Sequence, residues 1–311
     1  MGIKFGMSFE TDVSWDDLLA LSQELDRNSN FDHIWVTDAL VGREPDGPRL
    51  EAWPALAALA RETSRLRLGV MVTGNVYRHP AVLAKMATTV DHISGGRLEF
   101  GIAAGWPGES ERFGISFYSA RERAERLDEA VQLVKLLWTQ PRPEFRGRYY
   151  QLDQPPYAPP NVQRPHPPIL VGGGGEKRTL RTVARYADAA NAGDDAGTTP
   201  EEFRRKNDVL DAHCRDVGRD PSTIRRTTEI MLFLNDDPAF QQRVVDGIVS
   251  GLGRTEQDAP RTILLGSVED VKAGIGEFID AGAQEFIVWQ LPRIHVKSLM
   301  RFSDEVIPAF R

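Results

Sequence analysis

The chain has 311 residues, 41% hydrophobic and 27% charged, with a formal net charge of −7. That supplies material for a sizeable core and matches the usual length of one α/β barrel, while the acidic balance argues against a general nucleic-acid binder. One cysteine, Cys214, excludes an internal disulfide, and the opening MGIKFGMSFE has no long apolar stretch and no myristoylation pattern, so a cytoplasmic location is expected. No apolar run approaches the ~20 residues that span a bilayer, so no membrane association is expected.

Short apolar runs alternate with amphipathic helical stretches along the chain. A first strand is predicted over residues 3–9, then a helix from Trp15 to about Leu25, with Ser14 as N-cap and Asp16 and Asp17 in its first turn. Strand two falls at 33–37, helix two at 51–62 and strand three at 66–72. Helix three covers 81–91, opened by Pro80. Strand four is 98–104. A long helix over 120–138 carries apolar residues at Leu127, Ala130, Val131, Val134 and Leu137, near helical spacing. Strand five is 169–171, followed by glycines and a helix over about 176–186. A short sixth strand at 189–192 precedes a helix at 200–217. Strand seven is 228–234, a helix covers 268–281, strand eight is 285–291, and residues 296–310 close the chain.

Eight strand–helix units imply a closed parallel barrel of the TIM type. The alternative, a doubly wound open sheet, lacks its G-x-G-x-x-G fingerprint after the first strand. Two excursions interrupt the rhythm. Residues 141–168 are proline-rich with a hairpin at about 144–152 turning at Gly147, and 236–261 is polar with a helix at about 240–248. Both are expected to cover the barrel mouth or mediate contacts, within a single domain.

The active site of such a barrel lies at the carboxyl ends of its strands. That gathers Glu10, Asp38, Thr73, Gly74, Asn75, Gly105, Trp106, the four glycines of 172–175, Asn191, Asp194, Gln290 and Arg293. The run ILVGGGGEKR (169–178) sends Gly172, Gly173, Gly174 and Gly175 out of a strand and into a helix, where free N–H groups point at an anion. Lys177, Arg178 and Arg181 add positive charge where the helix dipole alone would prefer acids. A phosphate site explains that mismatch; a turn beside a solvated basic face is the alternative. The run GVMVTGNVYRHP (69–80) leads a strand into Thr73, Gly74 and Asn75, and His79 is either an acid–base group or a partner of the helix start. No H-E-x-x-H, C-x-x-C or G-x-S-x-G pattern occurs, so neither a catalytic metal nor serine hydrolysis is expected.

The stretches LRLGVMVTGNVYRHPAVLAKMATTVDHISGGRLEFGIAAGW (66–106) and QRPHPPILVGGGGEKRTLRTVARYAD (163–188), with HIWVTD (33–38) and DAGAQEFIVW (280–289), resemble the luciferase-like monooxygenases, especially their deazaflavin branch, which uses coenzyme F-420. The resemblance implies an oxidoreductase, commonly a homodimer, binding coenzyme F-420 or FMN over the strand ends. It places the ring near Asp38, Met71, Val72, Thr73, Asn75 and Gly105, the phosphate near Gly173, Gly174, Gly175 and Lys177, and a non-proline cis peptide at Met71–Val72. Asp38, Glu10 and His79 are its candidates for catalytic polar roles. Two groups depart from the pattern. Many deazaflavin members carry His where Ala39 stands, and the sugar-phosphate dehydrogenases among them carry Glu where Trp106 stands. Trp106 and Trp289 point to a more apolar small-molecule substrate. The reading is therefore hydride transfer with F-420, with an FMN-dependent monooxygenase and a barrel that has lost catalysis as alternatives.

Overall fold

The structure, a computed structural model, describes residues 2–42, 44, 46–107, 109–193, 197–290 and 294–311. It begins with β1 (Lys4–Phe9), α1 (Trp15–Asn28), β2 (His33–Val36), α2 (Ala52–Glu62), β3 (Arg67–Val70), the two-residue β4 (Thr73–Gly74), α3 (Pro80–Ile93), β5 (Leu98–Ala103) and α4 (Ala120–Thr139). A hairpin of β6 (Glu144–Arg146) and β7 (Gln151–Asp153) follows, then β8 (Ile169–Gly172), α5 (Thr179–Tyr186), β9 (Ala189–Asn191), α6 (Pro200–Asp216) and β10 (Arg225–Leu234). The chain ends with α7 (Pro238–Leu252), β11 (Ile263–Gly266), α8 (Val268–Asp280), β12 (Glu285–Trp289) and α9 (Val296–Arg301).

Eight parallel strands close into a barrel in the order β1, β2, β3, β5, β8, β9, β10, β12, with β12 returning to β1 through Lys4↔Glu285 to Met7↔Val288. Strand residues alternate between the two faces. Phe5, Met7 and Phe9 point outward and join the main core beneath the helices, whereas Trp35, Met71, Leu170, Ala189 and Ile287 form a separate core inside the barrel. The Trp35 indole fills the axis. A Cβ on Gly69 would lie 2.4 Å from its ring, so only glycine fits at that register position.

Below this core, at the amino ends of the strands, the inward residues are charged. His33 Nε2 lies 3.0 Å from Glu285, Arg225 Nε lies 2.6 Å from Glu285, Arg225 also reaches Glu99 at 2.9 Å, and Arg67 reaches Glu99 at 2.5 Å. The Glu285 contacts are ion pairs rather than aligned hydrogen bonds. Burial alone would raise the Glu285 carboxyl, but His33, Arg225 and Lys4 outweigh it and hold it at about 2.

Several local expectations hold in detail. Ser14 caps α1 by accepting from Asp17 N, and the Met71–Val72 peptide is cis. Others need correction. β11 was not expected: it is four residues long and, among the described residues, pairs only with the outer end of β10, through Met231↔Ile263 to Leu234↔Gly266. α5 starts at Thr179, so Lys177 and Arg178 lie in the turn before it. The 141–168 excursion does not cover the mouth. It follows a helix and leads into the base of a strand, and it runs down the flank of α3, where Thr88 bonds Asn161 and Asp91 accepts from Val162 and Gln163. The excursion after β10 does lie at the mouth, where Val244, Val245 and Val249 of α7 pack with Trp289.

Candidate active site

The carboxyl ends of the strands open into a cleft that continues along the flank of α1 past Asp17, Leu21 and Glu24, about 1870 Å³ in all. Its floor is the uppermost layer of inward-facing residues, including Ser8, Glu10, Thr37, Met71, Asn191 and Glu229. Met231, Trp289 and Ile294 supply apolar surface, and Trp106, 53% exposed, stands at the rim.

The two candidate carboxylates are both engaged. Asp38, with its side chain 1% exposed, takes a two-pronged pair from Arg78 at 2.7 and 2.9 Å and a third bond from Gly74 N at 3.0 Å. Arg78 also pairs with Glu51. Burial disfavours the guanidinium charge, but Asp38 and Glu51 more than restore it and raise its pKa. Glu10, 33% exposed, receives Thr37 Oγ1 at 2.7 Å and Arg49 at 2.5 Å. Both bonds fall on Oε2, so among the described residues Oε1 is the oxygen left for a ligand. Arg49 continues to Thr37 Oγ1 at 2.8 Å and to Ala39 O at 3.2 Å, tying the loops after β1 and β2 together.

His79 does not line the cleft. Its Nδ1 accepts from Ala81 N at 3.2 Å, its ring meets Tyr150 edge-on at 5.4 Å, and burial lowers its pKa, so its place is the start of α3. Thr73 and Asn75 sit behind the wall. Trp53 Nε1 donates to Thr73 Oγ1 at 3.1 Å, and Asn75 Nδ2 donates to Tyr150 Oη at 3.3 Å. Met71, Val72 and Gly105 line the cleft, and Gly105 has φ +98°, which favours glycine. Of the glycine run, Gly172 and Gly173 line it with Thr179, whereas Gly174, Gly175 and Lys177 do not. Asp194 and Arg293 lie outside the described residues.

Glu109 was missed by sequence reasoning. One oxygen accepts from Leu40 N and Val41 N at 3.0 Å each, the other from the Tyr77 hydroxyl, joining three loops of the rim. Burial and Glu109 together push the Tyr77 phenol well above its ordinary range. No local pattern marks either residue; the link spans 32 positions. Among the described residues no cluster of His, Cys, Asp and Glu could hold a metal ion, and no helix is long and apolar enough to cross a membrane.

The luciferase-like monooxygenase family model matches residues 3–298, and the chain belongs to that family. Among curated relatives it is 30% identical over 309 residues to the F420-dependent glucose-6-phosphate dehydrogenase of Kineococcus radiotolerans, covering 90% of this chain and 89% of that one. It is 27% identical over 297 residues to the F420-dependent hydroxymycolic acid dehydrogenase of Mycobacterium tuberculosis, covering 93% and 76%. Among solved structures, an F420-dependent secondary alcohol dehydrogenase in complex with an F420–acetone adduct superposes with a TM-score of 0.85 over the whole of both chains, at 19% identity. That last likeness speaks to the fold.

Proposed function

We propose that the chain is an oxidoreductase that moves a hydride between coenzyme F-420 and a fairly apolar organic substrate. The observation that carries this is the cleft itself: one wall is the Met71–Val72 pair and a neighbouring edge is the Gly172–Gly173 backbone, both open to the cleft at the carboxyl ends of the strands. A chain of this family with F-420-dependent dehydrogenases as relatives has that space for the coenzyme. The bound coenzyme would supply the hydride acceptor or donor.

The chain's own residues do the rest. Gly173, with φ +113°, brings the chain to the cleft without a side chain while its own N–H is bonded to Asn191 O, so the Thr179 hydroxyl at the start of α5 would be the donor that meets the phosphate. Val72 and Gly105 would bound the ring. Glu10, fixed by Arg49 and Thr37, is the carboxylate placed to take or return a substrate proton at Oε1. Asp38 holds Arg78 and the Gly74 turn in place. Trp106, Trp289 and Met231 would exclude water from the substrate.

Titration of the apoprotein with coenzyme F-420 and with FMN, by fluorescence at two ionic strengths, tests the reading. F-420 carries extra carboxylates, so it should bind more tightly and lose affinity more steeply with salt. Tighter FMN binding would replace the reading with an FMN-dependent monooxygenase, and binding of neither would leave a barrel without its cofactor.

A further inference from the structure

Asn191 is the last residue of β9 and faces inward, beside Gly172 on one side and Thr227 on the other. Its backbone carbonyl accepts from Gly173 N at 2.9 Å, which anchors the glycine turn. Its side chain has no comparable partner. Among the described residues Oδ1 is buried without a hydrogen bond, and Nδ2 reaches only the Met71 thioether at 3.5 Å. The residue is 7% exposed and lines the cleft. A buried primary amide with neither end properly bonded is costly, and such groups persist where a ligand completes them.

The surroundings narrow the ligand. A Cβ on Gly172 would lie 3.0 Å from Val72 Cγ2, so Val72, Gly172 and Asn191 form one continuous surface, with Met71 beneath. The amide therefore adjoins the wall against which a flat ring would lie. An amide offers an acceptor and a donor side by side. Its complement is an imide edge, an N–H flanked by carbonyls, which the rings of F-420 and FMN share. Asp38 cannot serve that edge, because Arg78 and Gly74 already occupy it.

We propose that Asn191 is a positioning residue that binds the imide edge of the cofactor ring, Oδ1 accepting from the ring N–H and Nδ2 donating to an adjacent carbonyl after a turn about χ2. The proposal rests on the cofactor reading above.

The test compares wild type with Asn191→Leu, a near match in shape without polar atoms. The probes are F-420, FMN and lumichrome, a ring with no phosphate tail. Affinity should fall about three- to tenfold for all three, as for loss of one or two neutral hydrogen bonds. The shift of the ring's absorption band on binding should shrink in the variant. The melting temperature of the apoprotein should stay level or rise, because an unsatisfied buried polar group has gone. Asn191→Met repeats the comparison if the leucine variant folds poorly. Unchanged affinity for the three probes overturns the proposal alone, and so does a loss of affinity that tracks a lower melting temperature. If wild type binds none of the probes, the cofactor reading falls and takes this one with it.

Discussion

The ammonium of Lys206 occupies the space where a side chain at position 174 would begin. An ideal Cβ on Gly174 lies 2.1 Å from Lys206 Nζ and 3.0 Å from the carbonyl oxygen of Ala192. The glycine turn is thus backed from α6 by a buried cation, whereas Lys177, Arg178 and Arg181, the cations beside it in sequence, are exposed. The lysine can yield to a methyl group, but the carbonyl cannot. Gly174→Ala is expected to cost ~1–3 kcal/mol through overpacking and to weaken cofactor binding. Thermal melting and ligand titration of the same preparation check both. A variant with unchanged melting and affinity would mean that the turn tolerates displacement.

Asp38→Asn should act first on stability. It halves a buried, two-pronged ion pair and leaves the Arg78 charge with Glu51 alone. Breaking such pairs typically costs ~3–5 kcal/mol, and the exposure of Glu51 places the expected loss toward the lower end. Urea unfolding at neutral pH measures it. A loss of turnover with native stability would instead assign Asp38 a direct part in the reaction.

The floor of the barrel predicts an acid response. The Glu285 carboxyl is held at about 2 against an ordinary 4.5. A depressed carboxylate stabilises the fold above the unfolded value and loses that contribution as pH falls through the folded one. The window is therefore from pH 4.5 down to about 2, and the contribution is on the order of 3 kcal/mol. Glu285→Gln should be less stable at pH 7 and show a flatter decline across that window. Melting curves at pH 7, 5 and 3 decide it; an unchanged acid limb would place the sensitivity at other carboxylates, such as Asp26, whose pKa is also lowered.

Glucose 6-phosphate should be a poor substrate despite the 30% identity to a dehydrogenase of that sugar. Ala39 and Trp106 stand where proton-transferring groups are expected in such enzymes, and general acid–base catalysis is worth roughly 10²–10⁴-fold. With F-420 supplied, the rate should fall at least ~100-fold below that relative's. Comparable turnover would show that Glu10 or Glu109 replaces the missing groups.

The architecture was legible where it is written locally. Apolar runs between helical stretches marked all eight barrel strands, and the Ser14 cap was readable from neighbouring residues. β11 escaped because three apolar residues and a glycine carry no period and, among the described residues, its strand partner is the far end of β10 alone. The site was less legible than the fold for the same reason. Glu10, Asp38 and the glycine turn are conspicuous by type, but the arginines that engage the acids sit 39 and 40 positions away, in segments with no signature of their own. Asn191 could be placed at the strand end, yet its want of a partner appears only once β8, β9 and Met71 are packed together.

β10 pairs with β9 only through Arg225–Thr227 and with β11 through Met231–Leu234. On that side the rim is not part of the repeating barrel but is contributed by an inserted strand and α7, which packs beside Trp289. The wall at Met71–Val72 and the glycine turn belong to other strands altogether. Insertions or substitutions within α7 can therefore reshape the rim beside Trp289 while the strands that carry Met71–Val72 and the glycine turn keep their places. Such a division lets a lineage exchange substrates without reinventing its cofactor.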